Sequence, residues 1–462
     1  MKIAICSSEV FPFAKTGGLA DVTGALPLAL EKLGQKVIVI MPRYKQVTAR
    51  LKKVAKMRSV AFTTMGEEIK VYFIENDKFF NRAGLYGEKK GDYPDNLERF
   101  SYFSKKALGL LKEIDFKPDI IHCHDWQTSL IPVYLKTIYK NDLFYKDMMT
   151  LLTIHNIGYQ GLFSKEEFPK LCLDWSLFNM EGLEFYNKIN ILKGGIVFSD
   201  GINTVSPTYS KEIQEKEFGF GLEGILSKRK NSLYGILNGL DYSVWDPEKD
   251  KLIAKSYSLK NLKDKYRNKQ DLQQISNLPQ KDMPLLGIVS RLAEQKGFDI
   301  LTEALDEICN LQLQLVILGT GDLKYHLIME EFAKKYPKVC SIHLKFDETL
   351  AHKIYAGSDI FLMPSKYEPC GLGQMISLKY GTIPLAFKTG GLADTVSNDN
   401  GFIFDVYKKG EFIKTIKEAL SAYQDKEKWF LLVKRAMKYN FSWEESAKEY
   451  IGLYRKLISE RS

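Results

Sequence analysis

The chain has 462 residues, of which 45% are hydrophobic and 27% charged, and its formal net charge is +9. This length suits two or three α/β domains, and the dispersed Lys and Arg residues form no arginine-rich block or basic stripe that would indicate a nucleic-acid partner. No stretch approaches the ~20 apolar residues of a membrane-spanning helix and no signal-peptide core follows Met1, so we expect no membrane partner.

Short β-branched strands alternate with amphipathic helical patterns along the whole chain, which is typical of parallel sheets covered on both faces. In the first half, strands are predicted at Lys2–Cys6, Lys36–Met41, Ile69–Ile74, Asp119–His124, Met149–His155 and Gly201–Val205. A helix is predicted from about Ala20 to Leu33, ending at Gly34. In the second half, strands are predicted at Leu285–Ser290, Leu313–Leu318, Val339–Leu344, Asp359–Met363 and Thr382–Phe387. The fold class is therefore α/β, with two doubly wound parallel sheets.

The domain boundary is predicted near residue 240. Turn residues at Asn238–Pro247 lead into a polar, Lys-rich stretch that continues to about Asn268. We therefore expect one domain over residues 1–240 and a second over residues 241–424. Residues 425–462 show two helical patterns with no strand between them, so this tail either completes the second domain or packs back on the first.

One seven-residue sequence occurs twice, as Lys15–Asp21 and as Lys388–Asp394. Each copy follows an apolar, strand-like run and precedes a helical pattern, and each combines a cation, two glycines and a carboxylate. Paired glycines allow a backbone to approach a ligand closely, and the N–H groups at a helix start attract anions. The repeat predicts two similar domains that face one anionic ligand.

Polar clusters stand at the carboxyl ends of several predicted strands, which is where open α/β sheets bind ligands. These clusters are His122–Trp126, His155–Asn156, Ser290–Arg291 with Lys296–Gly297, and Glu368–Gly373. As a set they indicate a cleft between the two sheets. Arg291 and Lys296 stand opposite a glycine-rich helix start, which favours phosphate binding.

A metal site is considered at His122 and His124, which share one face of a strand and precede Asp125. No other His, Cys or Asp pair has the spacing to complete a ligand shell, so a hydrogen-bonded network is the preferred interpretation. The six cysteines include no C-x-x-C pair, which argues against a zinc site or a disulfide framework. A reducing, cytoplasmic location is the expectation.

Nucleotide-binding motifs of the common kinds are incomplete. Gly319–Lys324 begins like a dinucleotide fingerprint, but Lys324 stands where the third glycine belongs. No G-x-x-x-x-G-K-[ST] sequence occurs, which excludes a P-loop kinase or ATPase. The remaining prediction is an anionic, nucleotide-linked ligand held between two Rossmann-like domains without a metal motif.

Six motifs together resemble those of bacterial glycogen synthases and plant starch synthases, in order and in approximate spacing. They are Lys15–Val22, His122–Trp126, Thr153–Asn156, Asn238–Asp241, Ser290–Leu292 with Gln295–Gly297, and Glu368–Leu372. The resemblance covers the whole chain. It implies a GT-B fold, in which two Rossmann-like domains face a central cleft.

The resemblance also implies a reaction: retaining transfer of glucose from ADP-glucose to the non-reducing 4-OH of an α-1,4-glucan, which elongates glycogen. Fixed cations and the N–H groups near Gly371 would stabilise the charge on the departing phosphate, so we expect no cofactor and no required metal. Whether the transfer proceeds by front-face attack or through a short-lived covalent intermediate is left open, as is the oligomeric state.

Residue roles follow from motif position. Lys15 and the backbone at Gly18 would contact the donor, Asp21 would shape the sugar site, and Arg291 and Lys296 would hold the diphosphate. His155 would lie over the donor sugar, and Glu368 would bind sugar hydroxyls and support the reaction. The further substrate-binding positions that the resemblance implies are Asp125 on the acceptor side, Asn238 near the sugar and hinge, and Cys370, Gly371 and Leu372.

Two positions depart from the wider pattern. Related retaining transferases often carry a second carboxylate eight residues after the first, where this chain has Ile376, so Glu368 is expected to act alone. Bacterial relatives frequently carry Thr where this chain has Gly373, so a hydroxyl contact to phosphate is expected to be lost.

Two other functions are considered. One is a GT-B transferase with a different donor base or a small acceptor, against which the Lys15–Leu19 motif argues. The other is a catalytically silent glucan-binding protein, which would leave the polar positions unfilled, whereas every expected position is occupied.

Overall fold

The computed structural model describes residues 1–54, 57–88 and 91–460. The chain forms two compact units, divided between Gly239 and Leu240 and again between Ser442 and Trp443. The second unit is Leu240–Ser442, and the first comprises the described residues on either side of it.

The strands are β1 (Lys2–Cys6), β2 (Lys36–Pro42), β3 (Lys52–Val54), β4 (Met57–Met65), β5 (Ile69–Ile74), β6 (Gly87–Glu88), β7 (Gly91–Asp92), β8 (Ile120–His124), β9 (Met149–Ile154), β10 (Leu162–Ser164), β11 (Glu184–Phe185), β12 (Lys188–Asn190), β13 (Gly201–Thr204), β14 (Leu233–Gly235), β15 (Leu285–Val289), β16 (Gln314–Leu318), β17 (Cys340–His343), β18 (Ile360–Met363), β19 (Ile383–Phe387) and β20 (Phe402–Phe404).

The α-helices are α1 (Gly18–Lys32), α2 (Asp77–Phe80), α3 (Asn96–Glu113), α4 (Leu130–Lys136), α5 (Ile191–Phe198), α6 (Pro207–Glu212), α7 (Glu223–Lys228), α8 (Lys265–Ile275), α9 (Phe298–Cys309), α10 (Leu323–Lys335), α11 (Glu348–Gly357), α12 (Gly373–Lys379), α13 (Gly390–Thr395), α14 (Lys409–Gln424), α15 (Lys426–Ala436) and α16 (Trp443–Ser459). Among the described residues, none of these helices is both long and apolar enough to cross a membrane.

The first unit is built on a nine-stranded sheet in the order β14-β13-β9-β8-β1-β2-β5-β4-β3. Strands β14 through β5 run parallel, whereas β4 and β3 are added antiparallel. Ile3 and Ile5 of β1 are fully buried because this strand lies between β8 and β2 and is covered on both faces. The carboxyl ends of β1, β8 and β9 therefore meet at one edge of the sheet.

The second unit has a six-stranded sheet in the order β17-β16-β15-β18-β19-β20, and every pairing in it is parallel. Strand order reverses beside β15, the first strand of the unit. The loops that follow β15, β18 and β19 leave the same edge, which is the expected ligand edge of an open α/β sheet.

All eleven predicted strands occur, each within one residue of its expected bounds at either end. The predictions missed the short strands β6, β7, β10, β11 and β12, which lie outside the two large sheets. Within those sheets they missed β3, β4, β14 and β20. Three of these are only three residues long, and β4 is an antiparallel addition whose polar residues weaken its apolar pattern. The helix expected from Ala20 begins two residues earlier, at Gly18, and the glycine stop is confirmed by the positive φ of Gly34, +76°.

The tail expected as one piece from residue 425 is divided. Helix α15 stays in the second unit, where the Trp429 ring stacks on Phe402 of β20 at 6.5 Å between ring centroids. Helix α16 belongs to the first unit, where the Tyr454 hydroxyl lies 2.8 Å from His122 Nδ1 and Asn203 donates to the Tyr450 hydroxyl at 3.0 Å. Helix α15 thus packs an aromatic ring on the second unit's sheet, whereas the tyrosine hydroxyls of α16 bond to polar side chains of the first unit's sheet. The two helices therefore belong to different units.

The two copies of the repeated heptad have different surroundings. A β-carbon added at Gly17 or Gly18 would meet no atom within 4 Å. In the second copy, a β-carbon at Gly390 would lie 2.1 Å from the Glu368 carbonyl oxygen, and one at Gly391 would lie 2.1 Å from that of Cys370. The glycines of the second copy are therefore required for backbone packing, and the expectation that both glycine pairs approach a ligand stays a prediction.

We expect Gly391→Ala to destabilise the protein by ~2 kcal/mol or more, because the added methyl overlaps a carbonyl that cannot rotate away. The same substitution in the first copy, Gly18→Ala, is the matched control and should change stability by less than ~0.5 kcal/mol. Thermal and urea unfolding of both variants measure this. Equal unfolding midpoints would contradict the distinction between the copies.

Candidate active site

Lys15 and Asp21 are brought together at the start of α1. Lys15 Nζ lies 2.6 Å from Asp21 Oδ1, and the two side chains are 47% and 32% exposed. A solvated pair of this kind contributes little to stability. Lys15 can therefore exchange its carboxylate partner for a ligand anion at small cost, and Gly18, the first residue of α1, leaves the approach open.

Glu9, which sequence reasoning did not select, holds this loop in place. Its buried carboxylate accepts hydrogen bonds from the Thr16 N–H and hydroxyl, both at 2.5 Å, from the Gly17 N–H at 3.3 Å and from the Tyr86 hydroxyl at 2.7 Å. The available signal was a carboxylate three residues past the end of a buried strand. Burial of a charge is tolerated here because several donors surround it.

Asp125 and His155 are also brought together, at the ends of β8 and β9. Asp125 has a positive φ of +56°, and its Oδ1 accepts the His155 N–H at 2.7 Å. Burial raises the pKa of Asp125 to about 7, although the N–H groups of His155 and Asn156 oppose the rise and nearby Glu9 adds to it. The carboxyl group therefore titrates close to neutral pH.

His122 and His124 are fully buried and form a hydrogen-bonded cluster with the partly exposed His155, which agrees with the network interpretation of His122 and His124. His122 Nδ1 lies 2.8 Å from the Tyr454 hydroxyl and its Nε2 lies 2.7 Å from the Thr153 hydroxyl, so both nitrogens are occupied. Burial lowers the pKa of His122 and of His155 to about 3 and that of His124 well below its usual value. Within the described ranges, no group of three or more His, Cys, Asp or Glu side chains is placed to hold a metal ion.

Asn238 is the last of the polar site residues predicted in the first unit, one residue before that unit's main segment ends at Gly239. The side chain is buried, and its amide oxygen has no hydrogen-bond partner among the described residues. A buried carbonyl without a donor is unfavourable. This oxygen is therefore available to accept a hydrogen bond from a ligand.

In the second unit, Lys296 and Glu368 form a largely buried ion pair. Lys296 Nζ lies 2.6 Å from Glu368 Oε2, which also accepts the Ser365 hydroxyl at 3.0 Å; the two charged side chains are 20% and 7% exposed. Gly297, at φ +79°, turns the chain against the Pro364 carbonyl and so sets Lys296 opposite Glu368. Arg291 is exposed on the loop after β15.

The Cys370–Gly371–Leu372 turn leads from Glu368 into α12. Gly371 has φ +72°, and the buried Gln374 amide donates to the Cys370 and Gly371 carbonyls at 3.0 Å each. Gly391 N–H donates to the Glu368 carbonyl at 3.1 Å, which ties the second heptad to the same turn. Gln374 is a residue that sequence reasoning missed, because nothing in its local pattern distinguishes it from a core position.

The space at Gly373, where the family resemblance led us to expect Thr, is crowded. A β-carbon there would lie 3.0 Å from a ring carbon of Phe361 and 3.3 Å from both the Met363 sulfur and the Tyr355 hydroxyl. These side chains fill the volume that a threonine would need. Glycine at this position is therefore matched to its neighbours.

Asp125→Asn should change how stability depends on pH. Because the folded pKa of Asp125 is raised, its contribution to stability is present below its ordinary value of 3.8 and is lost as pH rises toward about 7. The stability of the native protein relative to Asp125→Asn should thus fall between these values, by on the order of 2–4 kcal/mol. Urea unfolding of both proteins at a series of pH values measures the difference. A difference that does not vary with pH would show that Asp125 is not perturbed.

Comparison with known proteins identifies the family. Residues 2–228 match the family described as the starch synthase catalytic domain, and residues 268–430 match glycosyl transferases group 1. The chain is 49% identical to glycogen synthase of Thermosipho melanesiensis and 48% identical to glycogen synthase of Geotalea uraniireducens, with 100% of each chain covered.

Comparison with solved structures points to the same family. The catalytic domain of starch synthase IV from Arabidopsis thaliana, bound to ADP and acarbose, matches with a TM-score of 0.88 at 34% identity and 99% coverage of both chains. Sucrose-phosphate synthase from Thermosynechococcus elongatus shares the fold alone, with a TM-score of 0.63 at 18% identity. The GT-B fold implied by the sequence motifs is confirmed, and the chain belongs to the glycogen and starch synthase family of glycosyltransferases.

Proposed function

We propose that the protein transfers glucose from ADP-glucose to the non-reducing 4-OH of an α-1,4-glucan with retention of configuration. The observation that carries the proposal is the Lys296–Glu368 pair beside the Gly371 turn, since it sets a cation and a carboxylate at the ligand edge of the second sheet. Support for the adenine nucleotide comes from the starch synthase IV domain, which was solved with ADP and acarbose.

Arg291 and Lys296 are assigned to the donor diphosphate. Negative charge grows on the terminal phosphate as the bond to the sugar breaks, and fixed cations stabilise that charge better than water does. Lys15 supplies a third cation that is not committed to a buried partner. Helix α12 has only seven residues, so its dipole adds less than a longer helix would.

Glu368 is assigned to the sugar hydroxyls and to the positive charge that develops at the anomeric carbon. Its pairing with Lys296 and Ser365 keeps the carboxylate in one position. The group therefore does not have to lose rotational freedom when the transition state forms. Ile376, buried in α12, occupies the place of the second carboxylate seen in related enzymes.

Because Ile376 leaves the site without a second carboxylate, we propose front-face attack. The acceptor O4 bonds to the anomeric carbon on the face from which the phosphate departs, the carbon–phosphate-oxygen bond breaks, and the O4 proton passes to the departing phosphate. Configuration is retained without a covalent enzyme intermediate. Asp125 is assigned to the acceptor side, and Asn238, with its unpaired amide oxygen, to a sugar hydroxyl.

The proposal is tested by measuring incorporation of labelled glucose into glycogen from ADP-, UDP- and GDP-glucose. We expect ADP-glucose to have the highest kcat/KM, and the product to be fully digested by an amylase specific for α-1,4 bonds. A higher kcat/KM with UDP-glucose would overturn the donor assignment. Product that resists the amylase would overturn retention.

Glu368→Gln should lower kcat by ~10²-fold or more, because the group acts on the transition state. Gln keeps the size of the side chain, so the protein should still fold, but loss of the buried charge beside Lys296 should lower the unfolding temperature. The matched control is Glu294→Gln, since Glu294 pairs with Lys366 on the surface of the same unit. Near-normal kcat in Glu368→Gln, or an equal loss in the control, would contradict the role given to Glu368.

We also propose that no metal is required, because three cations are assigned to a diphosphate of about two negative charges. Activity should persist in excess EDTA. Lys15→Ala and Arg291→Ala should each lower kcat/KM by about tenfold or more. Lys388 stands at the equivalent place in the second heptad and pairs with Asp405 on the surface. Lys388→Ala is therefore the control that should keep activity. Activity that chelation abolishes and magnesium restores would refute this account.

A further inference from the structure

We infer that His124 is a positioning residue that holds the His155 imidazole in the tautomer with its proton on Nδ1. The tautomer itself depends only on the geometry of the histidine cluster, whereas its effect on catalysis rests on the proposed function.

The two rings share one hydrogen bond. His124 Nδ1 lies 2.9 Å from His155 Nε2, and the rings are 5.2 Å apart between centroids. Burial keeps both imidazoles neutral at neutral pH. A neutral imidazole carries one N–H and one bare nitrogen, so one of the two rings donates and the other accepts.

The other nitrogen of His124 decides the direction. His124 is fully buried, and its Nε2 has no hydrogen-bond partner among the described residues. If His155 donated, the His124 proton would be on this Nε2, and a buried N–H would be left without an acceptor. Orphaned buried N–H groups are rarer than under-satisfied acceptors. The favoured arrangement therefore has His124 donating from Nδ1 with a bare Nε2.

The proton of His155 is then on its own Nδ1. Its Nε2 is engaged as the acceptor from His124, so Nδ1–H is the donor that His155 can offer to an oxygen of the substrate, such as a sugar hydroxyl. His155 is partly exposed, whereas His124 is not. The donor is thus presented by the ring at the edge and fixed by the ring behind it.

His122 and α16 support the ring of His124, which donates the hydrogen bond to His155. The His122 ring lies 4.1 Å from that of His124 between centroids, and both of its nitrogens are bonded, to Tyr454 of α16 and to Thr153 of β9. A ring held at both nitrogens cannot rotate freely. Residues distant in sequence therefore determine how His124 faces His155.

The tautomer is tested by long-range proton–nitrogen NMR of the full chain labelled with ¹⁵N-histidine. The chain has six histidines, and single His→Gln variants assign each signal. For His124 and His155, we expect a protonated-type signal from Nδ1 and a bare-type signal from Nε2. A protonated Nε2 in His155 would overturn the inference. This readout does not use activity, so it stands even if the proposed donor or acceptor is wrong.

The positioning role is tested by two substitutions at one position. His124→Phe keeps a ring but removes the donor, so the His155 proton should distribute between both nitrogens and kcat should fall about tenfold or more, with little change in KM for ADP-glucose. His124→Asn can keep a donor near the place of Nδ1, so it should retain the tautomer and recover most of kcat. His343→Phe, in the second unit, is the control. Equal losses in His124→Phe and His124→Asn would show a merely structural role, and if His124→Phe does not fold, the spectrum of the native protein still decides the tautomer.

Discussion

Parallel pairing of β1 with β8, and of β8 with β9, is the constraint on which the first unit's chemistry depends. It places the residues after all three strands at one edge, although the residues after β1 precede those after β8 and β9 by more than a hundred positions in the chain. Glu9 follows β1, Asp125 follows β8 and His155 follows β9. The hydrogen bond from the His155 N–H to Asp125 depends on β8 and β9 being neighbours, and the effect of Glu9 on Asp125 depends on β1 being next to β8.

Burial then sets the charge state of these groups. The same loss of water that raises the pKa of Asp125 lowers that of His155, so the cluster contains a carboxyl group near its titration point beside neutral rings. Glu9 is handled differently, because hydroxyl and N–H donors surround it. The second unit instead neutralises Glu368 with Lys296. Each buried charge is thus met by donors, by an opposite charge or by a shift in pKa.

The repeated heptad shows how one sequence can serve two purposes. Both copies lie after a strand and begin a helix, which local chemistry alone requires. The glycines of the first copy face open space, and those of the second are pressed against the Glu368 and Cys370 backbone. Equal residues therefore predict a helix start in both copies but not the same backbone conformation, since Gly17 has φ −153° and the equivalent Gly390 has φ +42°. The packing partner also differs, because it comes from another part of the chain.

The α/β class, eleven strands, the glycine stop at Gly34 and the family could all be predicted from the residues alone, because they depend on local periodicity, turn chemistry and motif order. It also indicated that His122, His124 and His155 lie at strand ends. Three features could be seen only in the folded chain: α16 packs in the first unit while α15 packs in the second, Glu9 and Gln374 support the loops, and Lys296 pairs with Glu368. These features depend on contacts between distant residues, and a pattern read over a few neighbouring positions carries no information about which distant surface will supply the partner.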